Sequence, residues 1–143
     1  MKKKGIDHII DMQSGDSENL HFEDNTFDSA IAAFGVRNFE NLEAGLKEIH
    51  RVLKPNSKAV ILEFSKPTVF PFKQLYNFYF RFVLPSIGKV VSKDNAAYTY
   101  LPESVKEFPY GDDFLRILEE TGFKNTKCIP VTLGISSIYI GEK

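Results

Sequence analysis

The sequence predicts an α/β fold built on a parallel sheet, and three observations lead there. A short apolar run at Phe27–Phe34, an amphipathic pattern at Asn41–Leu53 and a second apolar run at Lys58–Phe64 follow one another, with a turn signal at each joint. Strand, helix, strand in that order is a crossover unit, which joins parallel strands. The chain then closes on a helical pattern and two strands linked at Leu133-Gly134. So short a link predicts an antiparallel hairpin at the sheet edge. The length of 143 residues suits one domain, residues 1–143.

Each element has its own signal. Ile6–Ser14 carries Ile6, Ile9, Ile10 and Met12 and reads as a strand ending at Gly15-Asp16. Ser17–Asn25 is polar and closes on the turn signal Glu23-Asp24-Asn25. Phe27–Phe34 is mostly apolar or small, as a buried strand would be, and Gly35 ends it. In Asn41–Leu53, Leu42, Leu46, Ile49 and Leu53 fall on one helix face, with Asn41 as N-cap and Lys54 beside the last carbonyls. Pro55 ends that helix, because the residue before a proline is driven out of the α region. Pro55-Asn56-Ser57 is the turn into a strand centred on Ala59-Val60-Ile61-Leu62, a continuous run expected of a strand covered on both faces. Asp112 or Asp113 caps a helix through Thr121, with Phe114, Ile117, Leu118 and Thr121 in one stripe and Gly122 at its end. Asn125–Thr132 and Ser136–Gly141 are the final strands.

Residues 66–109 differ in kind and read as a helical insertion. Eight of the chain's aromatic residues (it has 13 Phe and 6 Tyr) fall between Phe64 and Phe82. Lys73–Val83 reads as a helix whose apolar residues cover too much of its circumference for a simple surface helix. Pro85 breaks it, Ser86–Val91 resumes it, and Ser104–Phe108 begins another.

Composition excludes several classes. Eighteen Lys and Arg against 19 Asp and Glu leave a net charge of −1, so no basic field exists to drive nucleic-acid binding by counterion release. One cysteine, Cys128, permits neither an intrachain disulfide nor a cysteine-rich zinc site. His8, His21 and His50 lack metal-ligand spacing. No secretory leader or run of about 20 apolar residues is seen, so a reducing, cytoplasmic setting is expected.

Several stretches together resemble the ubiquinone/menaquinone biosynthesis C-methyltransferase family. They are Gly15-Asp16-Ser17-Glu18 with Phe22–Asp28, then Phe34-Gly35-Val36-Arg37-Asn38, then Arg51–Pro55 continuing to Leu62–Pro67. Tyr98–Ser104 and Glu120–Phe123 extend the likeness, which runs from about Gly5 to Lys143. It implies a Rossmann-like sheet of the class I methyltransferase kind. It also implies S-adenosylmethionine as methyl donor, and a demethylmenaquinol or demethoxy-ubiquinol ring with a lipid tail as acceptor. Two departures stand out. Asn56-Ser57 replaces the family's usual Gly-Gly, and Asn tolerates the positive φ such a turn needs. The glycine-rich loop after the family's first strand, and the acidic residue that holds the ribose, are not found before Gly15. The chain therefore resembles the C-terminal part of such an enzyme, an incomplete sheet. In the family fold the first strand is central. A strand at Ile6–Ser14 would lack neighbours, which predicts rearrangement, homo-oligomerisation through exposed edges, or a companion segment.

The resemblance also implies site residues, each with a plainer reading beside it. Asp16 would accept from the adenine amino group and Ser17 would offer its backbone N–H to the ring; otherwise both are turn residues. Ala33, Phe34 and Gly35 end a strand on the edge where open α/β sheets bind ligands, which places them beside the methyl donor. Arg37 and Asn38 would stabilise a phenolate-like oxygen that pushes charge onto the attacking ring carbon; otherwise they are surface residues. Glu63, with Ser65 on the same edge, is a candidate base or orienting group, or a solvated strand end. The aromatic segment would cover the lipophilic quinol, with Tyr76, Tyr79, Tyr98 and Tyr100 as polar handles. Lys66, Lys73, Arg81, Lys89 and Lys93 suit peripheral contact with a membrane surface; the alternative is core packing of the insertion. The rival to an enzyme is a non-catalytic truncated module that keeps the quinol-facing cover and lacks cofactor affinity. A nucleotide-dependent reductase is disfavoured by the same missing loop.

Overall fold

Four strands make one sheet, and their order follows from the crossover. The computed structural model describes residues 9–68, 70–79 and 104–143. Strand β1 (Phe27–Ala33), helix α1 (Leu42–Val52) and strand β2 (Leu53–Phe64) form the predicted unit, with β1 and β2 parallel. Helix α2 (Phe72–Phe78) follows, then helix α3 (Asp112–Glu120) and strands β3 (Lys124–Val131) and β4 (Ser136–Glu142). The sheet order is β1-β2-β4-β3. β4 lies antiparallel between β2 and β3, so the C-terminal hairpin is at the sheet edge, with β3 outermost.

The core lies on one face of this sheet. Leu46 and Leu53 from the α1 stripe are fully buried, with Leu42 and Ile49 packed beside them. They meet Ala59 and Ile61 of β2, Tyr139 of β4, and Phe114 and Leu118 of α3. The expectation that β2 is covered on both faces is corrected. Its burial alternates, with Ala59, Ile61 and Glu63 buried and Val60, Leu62 and Phe64 half-buried. On the same opposite face Ile31 of β1 is 80% exposed.

Other boundaries shift for local reasons. The N-cap is as expected, with the Asn41 side chain accepting from the Ala44 N–H at 3.0 Å. Leu53, however, is already extended and opens β2, so Pro55 lies inside a strand and not after a helix. Asn56 has φ 64°, in the left-handed region expected of it, and its N–H donates to the Lys143 carbonyl. The lysine at the carbonyl end of α1 is Lys143, whose Nζ donates to the Arg51 carbonyl at 2.9 Å, while Lys54 pairs with Asp28. α3 is capped by Gly111 at φ 61°, not by Asp112 or Asp113, which sit in its first turn near the positive end of the helix. The hairpin link is a 3-10 turn, Thr132–Gly134. Residues 9–14 form no strand, and Ile9 and Met12 are more than 70% exposed at 72% and 73%. Among the described residues no neighbouring strand is present to accept them, and unpaired strand backbone is costly. The rest of that predicted strand, Ile6 to His8, lies outside the described residues. So does most of the predicted insertion, including Ser86–Val91, although α2 and a helical turn at 104–107 match its ends.

Two polar groups fix the core. The Tyr139 hydroxyl accepts from the Gly111 N–H at 2.9 Å, so the central strand holds the N-terminus of α3. Burial pushes this phenol up to about 12. His50 packs edge-on to Phe123, centroids 5.0 Å apart, and a Cβ on Gly122 would come within 3.1 Å of its Nε2. Burial first, and the Lys143 charge second, hold His50 below the ordinary imidazole range. Tyr139→Phe is expected to cost about 1 kcal/mol in urea unfolding, because it removes the partner of the half-buried Gly111 N–H. For His50 the unfolded chain binds the proton more tightly. Its contribution is complete above an unfolded-state pKa of about 6.5 and is lost as pH falls toward the lower folded-state value. His50→Gln should flatten stability against pH below neutrality, read by unfolding midpoints at paired pH values.

Candidate functional site

Parallel pairing brings the carboxyl ends of β1 and β2 to one edge, and the candidate residues gather there. The Phe34 N–H donates to the Leu62 carbonyl at 2.8 Å, and Phe34 itself turns at φ 54°. After Gly35 the chain makes a 3-10 turn, Val36–Asn38, anchored by Val36, which is buried. This turn folds Arg37 back over the end of β2. Arg37 Nη1 donates to Glu63 Oε1 at 3.0 Å and to the Phe34 carbonyl, and the Arg37 backbone N–H donates to Glu63 Oε2 at 3.2 Å. Glu63 Oε1 also accepts from the Phe64 N–H at 3.1 Å. The guanidinium lies 5.2 Å from the centroid of the Phe64 ring, which in turn packs on Phe34.

The pair is largely out of water, with side-chain exposure of 11% for Arg37 and 0% for Glu63. Glu63 therefore faces Arg37 and the backbone, beneath the guanidinium. Arg37 Nε is buried with no partner among the described residues. A cavity of about 350 Å³ opens beside it, walled by Val36, Arg37, Phe39, Leu42, Glu107 and Phe108 among others. Chemically this is a fixed, neutralised arginine with donor capacity left, next to a partly apolar space. Such a group can hold an oxygen-rich ligand in one orientation.

The Asp16 loop is positioned separately. Asp16 is exposed, its Oδ1 accepts from the Glu18 N–H at 2.9 Å, and its carbonyl accepts from the Asn19 N–H. Ser17 beside it is half-buried. Glu18 Oε1 accepts from the Asn41 N–H at 2.8 Å, tying the loop to the start of α1. Farther along α1, Arg51 donates to the Leu20 carbonyl at 3.0 Å, to the Phe22 carbonyl at 2.8 Å and to Asp24 at 2.7 Å. Glu48, one turn earlier, takes two bonds from Arg51 and one from the Leu20 N–H. The hydrogen bond from Arg51 holds Glu48 below the usual carboxylate range, and Glu48 and then Asp24 hold Arg51 above its own. The sequence reading missed this role, although the i,i+3 acid–base spacing of Glu48 and Arg51 was there to be read.

The structure thus brings Ala33, Phe34, Gly35, Arg37, Asn38 and Glu63 to one strand edge, and anchors Asp16 and Ser17 on the loop bound to α1. Tyr76 and Tyr79 are on or just after α2. Tyr76 is half-buried, and burial pushes its phenol up to about 12. Tyr79 is 43% exposed. Tyr98 and Tyr100 lie outside the described residues, as do His8, Arg81, Lys89 and Lys93. No group of three or more His, Cys, Asp or Glu able to hold a metal occurs among the described residues.

Comparison with known proteins follows the same lines. The model of the ubiE/COQ5 methyltransferase family matches residues 1–143. A demethylmenaquinone methyltransferase of Bacteroides fragilis is 42% identical over 143 residues, covering 100% of this chain and 58% of that protein. A ubiquinone/menaquinone biosynthesis C-methyltransferase UbiE of Geotalea daltonii is 52% identical over 134 residues, covering 94% of this chain and 57% of its own length. This chain thus spans a little over half the length of these relatives. A crystal structure of a SAM-dependent methyltransferase from Aquifex aeolicus is 18% identical, with a TM-score of 0.62 over 99% of this chain and 58% of that one. It shows that the fold is shared.

Two outcomes follow from the geometry. Glu63→Leu should destabilise the chain by about 3–5 kcal/mol in chemical denaturation, because it strands a buried guanidinium. Arg51→Ala should leave the global unfolding transition cooperative and speed hydrogen exchange at the Leu20, Asn25 and Thr26 amides, read by NMR.

Proposed function

This chain belongs to the ubiE/COQ5 methyltransferase family, and on that premise we propose that it forms the acceptor side of a site for C-methylation of a demethylated quinol ring. The observation that carries this reading is the Arg37–Glu63 pair, buried at the carboxyl edge of two parallel strands and beside a small cavity. Ring methylation needs an electron-rich carbon, and a phenolate-like oxygen supplies that charge. A donor held by a buried carboxylate needs no reorganisation when charge develops on that oxygen. Arg37 is the catalytic candidate, Asn38 stands beside it on the same turn, and Glu63 is a positioning residue that fixes the guanidinium.

S-adenosylmethionine, when bound, supplies the methyl group. This chain's residues fit its adenine end. The Asp16 carboxylate is exposed on a loop braced by Glu18 and Arg51, and Ser17 follows it. The strand end Ala33 to Gly35 would line the crevice nearest the methyl group. A glycine-rich loop for the methionine end is not among these 143 residues. The second reading is a quinol-facing module without cofactor affinity of its own. The acceptor's lipid character also fits the surface. Phe70, Leu75, Phe78 and Tyr79 are exposed on or beside α2, with Lys73 on the same helix, an arrangement suited to peripheral membrane contact. No helix among the described residues is long and apolar enough to cross a membrane.

Calorimetry with S-adenosylhomocysteine separates the two readings. Binding by the chain that falls about tenfold in Asp16→Ala supports a cofactor-competent site, and no binding at millimolar ligand supports the module. In a methyl-transfer assay Arg37→Lys should lower kcat by about 10²-fold with cofactor affinity unchanged. Full activity in that variant removes Arg37 from the mechanism.

A further inference from the structure

We propose that the groove between β3, the Thr132–Gly134 turn and the start of α3 receives the prenyl hydrocarbon tail of the acceptor, a site distinct from the ring cavity at Arg37. The inference rests on the quinol reading above and adds where the tail goes. The groove measures about 950 Å³ and is lined by Phe72, Tyr110, Val131 and Leu133, with Ser65 and Ser137 in its wall. A volume of that order suits a small-molecule ligand.

Position links the groove to the ring cavity. Phe108 and Pro109 line the small cavity at Arg37, and the next two residues, Tyr110 and Gly111, line the groove. On the sheet side, Ser65 in the groove is two residues beyond Glu63, which holds Arg37. One ligand with a polar head at Arg37 and an apolar extension therefore has a place for each part, on either side of a single segment.

Several polar groups of the groove are already paired, while Thr68, Asp112 and Thr132 also line it. Ser137 Oγ donates to Ser65 Oγ at 3.0 Å, and Ser65 Oγ donates to the Gly134 carbonyl at 2.9 Å. Lys66 turns its ammonium to the Lys106 carbonyl at 2.8 Å and over the Tyr110 ring. Arg116 and Asp113 pair with one another at 3.5 Å. Most of the surface a ligand would meet is apolar. The turn that carries Leu133 is strained toward this use. Thr132, Leu133 and Gly134 have φ of 51°, 58° and 87° in succession. Only the last is a glycine, and β-branched or bulky residues seldom enter this region. Leu133 is nonetheless 64% exposed, so its apolar side chain is presented at the groove and not spent on the core.

The chain's single cysteine reports on this site without any substitution. Cys128 lines the groove and is only partly buried. Geranylgeraniol should slow alkylation of Cys128 by N-ethylmaleimide about tenfold, read by mass spectrometry, with the circular dichroism spectrum unchanged. Leu133→Asn should lose most of that protection, and asparagine tolerates the left-handed backbone there. Arg37→Lys, which retains a cation for Glu63, should keep it. Unslowed alkylation at saturating geranylgeraniol overturns the proposal, and equal protection by hexadecanol overturns the assignment to a prenyl chain. A tail-less demethylated naphthohydroquinone, tested for Arg37-dependent binding by NMR, separates this from the parent reading. If it binds while geranylgeraniol gives no protection, only the tail site fails. If geranylgeraniol protects and the tail-less ring does not bind, the groove stands and the ring site fails.

Discussion

A carboxylate with no access to water terminates the second strand, and the site is arranged around the need to neutralise it. Glu63 is buried on the core face of β2 in the same alternation that buries Ala59 and Ile61. An isolated charge there would be prohibitively costly, so its oxygens draw in the Arg37 guanidinium and two backbone N–H groups. The turn after β1 is short because it has to deliver Arg37 to that point. Val36 seals one side of the turn and the Phe64 ring covers the guanidinium. A buried carboxylate in the strand thereby fixes a donor, Arg37, at the edge where a ligand would enter.

A second arginine does the opposite kind of work. Arg51 lies on the more exposed side of α1, where its ion pair with Asp24 is weakened by solvent. Its value is geometric. It spreads its N–H groups over two carbonyls of the 20–22 stretch and two carboxylates, so that a loop without regular secondary structure keeps one path. Buried pair and surface hub together hold the two groups of candidate residues, one on the sheet and one on the loop bound to α1.

The C-terminal hairpin extends the same logic to the far side of the sheet. Inserting β4 antiparallel between β2 and β3 places Ser136 and Ser137 next to Phe64 and Glu63 in register. The Ser137 hydroxyl then donates to Ser65, and Ser65 donates to the Gly134 carbonyl of the strained Thr132–Gly134 turn. Tyr139 reaches from the same strand to Gly111 and fixes the start of α3. The segment from Phe108 to Gly111 is thus held between two cavities, one at Arg37 and one at the Thr132–Gly134 turn.

Much of this was legible in the residues. The period of the α1 stripe, the Asn41 cap, the apolar run of β2 and the left-handed backbone at Asn56 are local, and local sterics and periodicity are written in the sequence. So was the gathering of Phe34, Gly35, Arg37 and Glu63 at one edge, because parallel strands end together. The order of the strands, with the last inserted before the third, depends on contacts between residues about 80 positions apart, and no local pattern encodes it. The same holds for the partner of Arg37. Glu63 reads as a solvated strand end by position, and only packing against the core shows that it is buried and must be paired. Residues 9–14 make the complementary point: their apolar pattern is that of a strand, but a strand exists only where a neighbour accepts its hydrogen bonds.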